Sequence, residues 1–487
     1  MGPQLEPGRN CWRIEQAGRA SVIIDACDYY HIVRQMMERA KRRILIIGWD
    51  FDPRILIDRD DNDESLGDFL LALAKKNPKV DIRILKWDLG ALKLLFRGKA
   101  LAWLARLAWQ KSITFTLDHA HPAGCSHHQK IVVIDDSFAI CGGIDMTGDR
   151  WDRPAHHDDE PKRVRPNGEP YGPWHDVTMA VDGPLARALA ELSGDRWRRA
   201  TGEELPKLEP RDDLWPDELT PHFTDARFAI ARTQAPYKEW EEVKEVEALF
   251  VDAIESAQRF IYIENQYFTS PKIAAAIMRR LEAPNPPEIV LVTPITADGW
   301  LEQVAMDATR LRLMKIIGAV DPGDRFRIFT PKTAGGQDIY VHAKVMIVDD
   351  AFLKIGSANI NNRSLGLDSE CDLALIDEPQ HRDCVRHVRE RLMAEHLAAS
   401  EEEVRDVFER TGSLRATIAE LTKPGDRRLE PLPYEKPDDT ACFIAETELL
   451  DPKSPDAMFE GMTRRTLFDP LRGPFKRLRR RGKKLPV

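Results

Sequence analysis

The chain has 487 residues, 43% of them hydrophobic, so it is long and apolar enough for more than one domain with a full core. No uncharged run reaches the roughly 18 residues that a transmembrane helix needs. The net charge is −9 although Leu471 to Val487 holds eight basic residues and no acid, and the acidic remainder argues against broad nucleic-acid binding.

The first strongly apolar segment predicts a buried strand. ERAKRRILIIGWDFDP, from Glu38 to Pro53, is typical of a helix end, a strand and then a loop. Trp49, Asp50 and Asp52 follow this strand at its carboxyl end, where the sites of α/β proteins usually lie. VDIRILKWD, from Val80 to Asp88, predicts the next strand.

The stretch from Leu92 to Lys111 contains five basic residues, two tryptophans and no acid. It predicts either a helix that covers the sheet, with its basic side in water, or an interfacial helix. In the second case Trp103 and Trp109 would lie at the depth of lipid headgroups.

A short motif follows. HQKIVVID begins at His128 and ends at Asp135, and the chain continues to GGID, which ends at Asp145. The run IVVI predicts a buried strand, on which His128 and Lys130 share a face because they are two residues apart. Asp135 lies at the strand end and is followed by another Asp, as in a turn, so we interpret it as structural. A buried lysine is costly unless it meets negative charge, so the motif predicts chemistry as well as packing.

The same motif occurs a second time. HAKVMIVD begins at His342 and ends at Asp349, which we again interpret as structural, and GSAN ends at Asn359. Lys344 of the second copy corresponds to Lys130 of the first. Two copies with the same offsets are not a chance match.

The repeat extends beyond the motifs. ESAQRFIYIENQYFTSP, from Glu255 to Pro271, echoes the first apolar segment. Gly48 precedes the first motif histidine by 80 residues, and Glu264 precedes the second by 78. Near-equal spacing predicts two copies of one α/β unit, with strands at the centre and helices between them.

Two motifs that face each other would form a pocket for a phosphate. The lysines would bind its oxygens as point charges, and Asp145 and Asn359 would add a carboxyl and an amide group. One histidine would attack phosphorus while the other protonates the leaving oxygen. The two histidines would start in opposite protonation states, which predicts a bell-shaped pH profile.

These motifs resemble the phospholipase D superfamily, whose signature is the duplicated His-Lys-Asp motif. IENQYF (Ile263 to Phe268), PWHD (Pro173 to Asp176) and GGID are similar to the eukaryote-type subgroup. The resemblance covers roughly residues 12 to 400. It implies two tandem α/β domains about a pseudo-two-fold axis, each with a central mixed sheet flanked by helices, and one shared active site. It also implies a phosphohistidine mechanism without a metal or cofactor.

The resemblance further implies an acidic partner downstream of each histidine. Glu370 lies 28 residues after His342, and we predict that these two pair. Asp176 lies 48 residues after His128, and we predict the second pair there, with a charged, Pro-rich loop from Arg153 to Gly172 as the extra length. Such a carboxylate fixes the tautomer of its imidazole.

We expect hydrolysis of glycerophospholipids to phosphatidic acid and a free headgroup, with His128 as nucleophile and His342 as acid, then base. Because the motifs are nearly symmetric, the exchanged assignment stays open. Alcohol in place of water would give transphosphatidylation. By resemblance, Trp49, Asn265 and Gln266 line the pocket and contact substrate together with the two lysines.

Three other functions stay open. They are a cardiolipin-synthase-like phosphatidyl transferase, a nuclease or phosphodiesterase acting on another diester, and a lipid-binding module without activity. The expected partners are a phospholipid at a membrane surface and water or alcohol, with no nucleic acid. One chain is sufficient for a complete site, because each half supplies the other's partner.

We divide the chain into a first half at residues 12–205, a linker at 206–225, a second half at 226–415 and a C-terminal extension with a basic tail at 416–487. The first residues show no signal peptide, and the seven cysteines are scattered without a CxxC pair. We therefore expect a cytoplasmic protein, whose basic tail suits either a solvated end or attachment to anionic lipid.

Overall fold

The computed structural model describes residues 2–59, 62–88, 103, 106–107, 109–211, 214–296 and 300–432. The basic tail and most of the stretch from Leu92 to Lys111 lie outside the described residues, so their membrane roles stay predictions. Trp103 packs against Gly67, whereas Trp109 is 89% exposed. No helix in the described ranges is both long enough and apolar enough to cross a membrane.

The strands of the first half, within the described ranges, are β1 (Arg13–Ile24), β2 (Arg43–Gly48), β3 (Leu56–Asp58), β4 (Asn62–Ser65), β5 (Asp81–Trp87), β6 (Ile113–Asp118), β7 (Ile131–Ile134), β8 (Phe138–Gly142), β9 (Trp174–His175) and β10 (Val177–Asp182). The helices are α1 (Ala26–Glu38), α2 (Leu66–Lys76) and α3 (Gly183–Thr201).

The strands that follow are β11 (Phe223–Gln234), β12 (Val243–Lys244), β13 (Phe260–Asn265), β14 (Glu288–Val292), β15 (Phe326–Lys332), β16 (Tyr340–Val341), β17 (Lys344–Val348), β18 (Phe352–Gly356), β19 (Glu370–Leu375) and β20 (Arg428–Pro431). The helices are α4 (Glu245–Ser256), α5 (Pro271–Glu282), α6 (Trp300–Ala319), α7 (Asn362–Gly366), α8 (Arg382–Leu397), α9 (Glu401–Thr411) and α10 (Leu414–Leu421), with a 3-10 turn at Pro379–His381.

One mixed sheet runs through both halves. Its order is β20-β15-β14-β13-β17-β18-β19-β11-β1-β10-β8-β7-β2-β5-β6, with β12 paired to β11. From the β1–β11 junction the strands follow in equivalent order on each side, β10-β8-β7-β2-β5-β6 in the first half and β19-β18-β17-β13-β14-β15 in the second. The expected pair of similar α/β units about a pseudo-two-fold axis is therefore confirmed. The two central sheets join at this junction, where β1 and β11 are antiparallel.

Helices cover both faces of the sheet, which explains why strands such as β7 and β18 are buried at every position. The strand RILIIG, β2, is buried at every position. One hydrophobic core extends across both halves and includes Leu189 of α3 and Val388 of α8. On the other face each half has its own core, with Met36 of α1 in the first and Phe250 of α4 in the second.

The last aspartate of each motif holds a turn together, as interpreted from the sequence. Asp135 has a φ of 50° and Asp349 a φ of 55°, which Asp tolerates better than most residues. The Asp135 carboxylate accepts hydrogen bonds from the backbone N–H groups of residues 41–43. The Asp349 carboxylate does the same for residues 258–260. Each aspartate thus anchors the start of the strand beside the motif.

The segments on either side of the proposed boundaries pack against the halves. Strand β11 begins at Phe223, inside the predicted linker, and Trp215 of that linker packs against Phe138 at 5.8 Å between ring centroids. Strand β20 lies in the predicted C-terminal extension and pairs with β15. The described part of the extension therefore widens the sheet of the second half.

Candidate active site

Each motif histidine bonds a carboxylate from the opposite half of the chain. His128 Nδ1 lies 3.0 Å from a carboxylate oxygen of Glu370. His342 Nδ1 lies 2.7 Å from a carboxylate oxygen of Asp176. The sequence analysis predicted the reverse pairing, His128 with Asp176 and His342 with Glu370, and that prediction is wrong.

The reason for the crossed pairing lies in the backbone. Strand β16, just before His342, runs parallel to β9, just before Asp176, and the N–H of His342 donates to the carbonyl of His175 at 2.8 Å. In the same way the N–H of His128 donates to the carbonyl of Ser369 at 2.9 Å. Each histidine is therefore held beside the acid-bearing strand of the other half. Spacing along one half cannot reveal this.

The two motif lysines lie beside their histidines, although His128, Lys130 and His342 precede the strands on which the sequence analysis placed them, since β7 begins at Ile131 and β17 at Lys344. Lys130 Nζ donates to the carbonyl of His128 at 2.9 Å and forms an ion pair with Asp145 at 3.2 Å. Lys344 Nζ donates to the carbonyl of His342 and, at 3.4 Å, to Gln266 Oε1. Both lysine side chains are buried, so their charges are strongly felt in the site.

The charges in the site shift the pKa values of its groups. Burial, and then the charges of Lys130 and Lys344, hold the pKa of His128 well below its usual range. Burial and the same two lysines hold the pKa of His342 well below its usual range. Burial raises the pKa of Glu370 to about 8 and lowers the pKa of Lys344 to about 7. Without a bound anion, both imidazoles are therefore neutral at pH 7.

Burial also raises the pKa of Asp176. The Asp176 carboxylate is held by the backbone N–H of Val177 at 2.8 Å. On the other side of the site the hydroxyl of Ser357 donates to Glu370. Each acid thus has a second hydrogen bond that sets its orientation toward its histidine.

The glycines after each motif leave room for residues of the neighbouring strand, and one of these residues is Asp176. A Cβ on Gly143 would lie 2.0 Å from a carboxylate oxygen of Asp176. A Cβ on Gly142 would lie 2.4 Å from the backbone of Thr178, and one on Gly356 would lie 1.9 Å from Asp372. Such contacts are shorter than any real Cβ contact, so close approach of the neighbouring strand requires glycine here.

A cleft of about 470 Å³ opens beside Trp49 and Asp50, the residues that follow β2. Its wall includes Trp174 and Tyr340, whose rings stack at 4.5 Å with an interplanar angle of 17°. The ring of His342 lies 5.3 Å from that of Trp174, so the cleft lies next to the second motif, although neither motif histidine lines it. Trp49 was predicted to line the pocket and lies in this wall.

Arg150 is a site residue that the sequence analysis missed. It lines the cleft, and its guanidinium lies 4.3 Å from the centre of the Trp174 ring. Its charge contributes to the lowered pKa of His342. The sequence could have indicated it, because Arg150 is a basic residue only five positions after Asp145 of the first motif.

The other predicted site residues differ in what they contact. Gln266 donates to the hydroxyl of Tyr340 at 2.9 Å and faces the lysine of the second motif. Asn265 bonds the protein backbone, since its side-chain oxygen accepts a hydrogen bond from the N–H of Ile360 at 3.0 Å. Asn359 Oδ1 is buried and has no hydrogen-bond partner among the described residues. A substrate contact for Asn265 stays a prediction.

Behind the site lies a buried network of histidines and acids. His175, next to Asp176, lies 2.8 Å from Glu264 and 2.6 Å from Glu395. Two groups in this region bring together the side-chain types that bind metals, and their members are Asp25, His156, His175 and Glu395 in one and His175, Glu264 and His396 in the other. Their donor atoms already form ion pairs at 2.6–3.5 Å. We therefore describe them as an ion-pair network that joins the halves.

Two family models match the chain. A model described as phospholipase D matches residues 36–214, which include the first motif. A model described as cardiolipin synthase, PLD-like domain matches residues 250–393, which include the second motif. The two matches correspond to the two similar units of the fold.

Curated relatives and a solved structure agree with these matches. Phospholipase D A of Dictyostelium discoideum is 28% identical over 432 residues, which cover 75% of this chain and 34% of the relative. Phospholipase D alpha 1 of Zea mays is 25% identical over 526 residues, which cover 78% of this chain and 64% of the relative. The chain thus spans about one third to two thirds of these relatives. The crystal structure of phosphatidylserine synthase from Haemophilus influenzae has the same fold, with a TM-score of 0.54, 13% identity, and coverage of 83% of this chain and 95% of that chain.

Proposed function

Since the chain belongs to the phospholipase D superfamily, we propose that it hydrolyses glycerophospholipids to phosphatidic acid and a free headgroup. The observation that carries the proposal is the pair of crossed contacts, His128 with Glu370 and His342 with Asp176, each next to a buried lysine. This arrangement provides a nucleophile, an acid and two cations around one phosphate.

In the proposed first step, His128 Nε2 attacks phosphorus. The bond from phosphorus to the headgroup oxygen breaks as the bond to nitrogen forms, and the His342 imidazolium gives its proton to the leaving oxygen. Lys130 and Lys344 bind the non-bridging oxygens. Glu370, whose pKa is about 8 in the empty site, accepts from the Nδ1–H of His128 once it is ionised, and this leaves Nε2 without a proton for attack.

This step needs a protonated His342, and binding of the diester favours that state. Burial and nearby cations lower the pKa of both imidazoles in the empty site. The negative charge of the diester opposes the two lysines, so it raises the pKa of His342 and allows that residue to carry a proton. His128 stays neutral and nucleophilic.

In the second step, neutral His342 takes a proton from water, and the oxygen attacks phosphorus as the bond to His128 breaks. An alcohol in place of water gives transphosphatidylation. Two in-line displacements retain the configuration at phosphorus. The opposite assignment of the two histidines is the alternative, and phosphate trapped on His342 instead of His128 would establish it.

The experiment is a thin-layer assay on vesicles of phosphatidylcholine and phosphatidylethanolamine, with ethanol and EDTA present. We expect phosphatidylethanol, and its loss in His128→Ala. The absence of any lipid product, together with cleavage of bis-p-nitrophenyl phosphate or DNA, would contradict the lipid substrate and leave another phosphodiesterase. Binding of lipid by His128→Ala and wild type alike, without turnover by either, would indicate a lipid-binding module.

A second candidate is a phosphatidyl transferase of the cardiolipin-synthase kind. The observation that favours it is the match of residues 250–393 to the model of that description. Vesicles of phosphatidylglycerol separate the candidates, because a transferase would join two such lipids and release glycerol. Phosphatidic acid as the main product would favour the hydrolase.

We also propose that one chain forms the complete site and acts at a membrane surface from the cytoplasm. The crossed pairs support the first point, because the two halves of one chain complete each other. The basic residues from Leu471 onwards support the second. We propose the same division as in the sequence analysis, with halves at residues 12–205 and 226–415.

A further inference from the structure

Arg150 has donor groups that no acceptor among the described residues uses. Within that part of the chain its side chain donates one hydrogen bond, to the backbone carbonyl of Asp149 at 3.2 Å, and its Nε is buried without a partner. Five N–H groups make an arginine a strong binder of phosphate oxygens when no carboxylate occupies them. A guanidinium left in this state beside a catalytic cleft is poised for an anionic ligand.

The position of the guanidinium is fixed by aromatic stacking. It lies 4.3 Å from the centre of the Trp174 ring, and Tyr340 stacks on the same ring at 4.5 Å. The ring of His342 is 5.3 Å from that of Trp174, which brings the arginine close to the second motif.

The acids of the cleft are already neutralised by other cations. Asp149 pairs with Arg165 at 3.0 Å, and Asp50 pairs with buried Lys86. Asp338 pairs with Lys332. Within the described residues, Arg150 therefore adds a positive charge that none of these acids balances.

The arginine also breaks the symmetry of the site. Arg150 follows Asp145 by five residues, and the residue five positions after Asn359 is Ser364. Ser364 is neutral and belongs to α7, where its backbone N–H donates to Asn361 Oδ1 at 2.9 Å. At this matching position, therefore, a cation is present on the His342 side and a neutral serine on the His128 side.

We propose that Arg150 is a third phosphate-binding residue, which holds a non-bridging oxygen of the scissile diester on the side of His342. The inference rests on the proposed function of this site. Lys344 is buried and readily loses its proton, whereas an arginine keeps its charge at all physiological pH values. The fixed guanidinium would also tell the two ends of the diester apart, because the first motif side has no such group at the matching position.

The test measures binding of inorganic phosphate at pH 6.5 by calorimetry, on the full-length wild type and on Arg150→Gln, Arg150→Lys and Arg279→Gln. We expect Arg150→Gln to weaken phosphate binding about 10- to 100-fold, the loss of a charge-assisted hydrogen bond. Arg150→Lys keeps the charge without the planar fork and should lose less. Arg279→Gln removes a cation that pairs with Glu255 away from the cleft, and it should change affinity by less than about threefold.

Each outcome decides the question. Phosphate affinity in Arg150→Gln within about twofold of the wild type would overturn the inference while the proposed function stands. An equal loss in Arg279→Gln would also overturn it, because the net charge of the protein would then govern phosphate binding. A wild type without phosphate binding would overturn the proposed function of the site as well. Thermal unfolding of each variant excludes loss of fold as the cause, and Arg150→Lys serves where Arg150→Gln does not fold.

Discussion

Glu370 bonds the imidazole of His128 at 3.0 Å although 242 residues separate the two in the chain. Asp176 bonds His342 across 166 residues. Each half thus carries a histidine that the other half orients. Neither half contains a complete acid–histidine pair, so separated halves should be inactive.

The first prediction concerns this crossed pairing. In Glu370→Gln the ¹⁵N resonances of the His128 ring should shift, and those of His342 should not, because a neutral amide replaces the charged carboxylate that Nδ1 bonds. In Asp176→Asn the pattern should reverse. Turnover should fall about 10- to 10⁴-fold in both variants, as for other residues that orient a catalytic histidine.

Histidine-edited nuclear magnetic resonance, with assignments from His128→Ala and His342→Ala, provides the measurement. Shifts of His342 in Glu370→Gln would mean that each histidine pairs within its own half. That result would restore the pairing expected from sequence spacing.

The second prediction concerns the glycine that faces Asp176. Gly143→Ala places a methyl group 2.0 Å from the carboxylate, so the acid or the strand must move. We expect at least a tenfold loss of turnover and about 1–3 kcal/mol less stability, as for other overpacked sites. Urea unfolding and the thin-layer assay measure the two effects.

Gly194→Ala is the matched control. This glycine lies inside α3, and an added Cβ would meet nothing within 4 Å. Since alanine is the better helix former, the variant should be as stable as the wild type or more so. Equal losses in both variants would show that the close approach at Gly143 has no special role.

The third prediction concerns stability at alkaline pH. Burial by itself lowers the pKa of His156, but the charge of Asp25 and the hydrogen bonds to Asp152 and Glu395 outweigh it and raise the pKa to about 9. The ordinary value in an unfolded chain is about 6.5. The folded state therefore holds this proton more tightly, and its stabilisation is complete below pH 6.5 and is lost as the pH rises to 9.

Urea unfolding of the wild type and of His156→Gln between pH 6 and 9.5 tests this, and we expect the contribution of His156 to fall by up to about 3 kcal/mol over that range. Glu370, whose pKa is raised to about 8, acts in the same direction, whereas Lys344, whose pKa is lowered to about 7, acts in the opposite direction. The comparison of the two proteins isolates His156, because both contain the other two groups. The stability difference between them should be largest at pH 6 and should shrink towards pH 9, and a difference that stays constant would contradict the assignment.

The fourth prediction concerns anion binding by Lys344. Burial lowers its pKa to about 7, so the side chain is charged below pH 7 and neutral above. Affinity for dimethyl phosphate, which stays a monoanion throughout, should fall as the pH rises from 6 to 9. Lys344→Met should bind the diester weakly at every pH and lose this dependence, and a variant that kept it would assign the titration to another group.

Much of the fold follows from local pattern. The apolar runs of β2, β7, β13 and β17 read as buried strands because both faces of the sheet are covered, and the spacing from strand to motif reveals the repeat. The junction of β1 with β11 does not follow from pattern, because β1 begins with the mixed sequence RIEQAGRA and its partner lies some two hundred residues away.

The sequence by itself determined the chemistry of the site. His128, Lys130, His342 and Lys344 are placed by a two-residue strand period, and a local rule of that kind needs no knowledge of distant segments. Only the tertiary structure decided which acid serves which histidine, and that Arg150 stacks on Trp174 in the cleft. These contacts exist because β16 pairs with β9 across the two halves, and a pairing between distant segments is fixed by the packing of the whole chain.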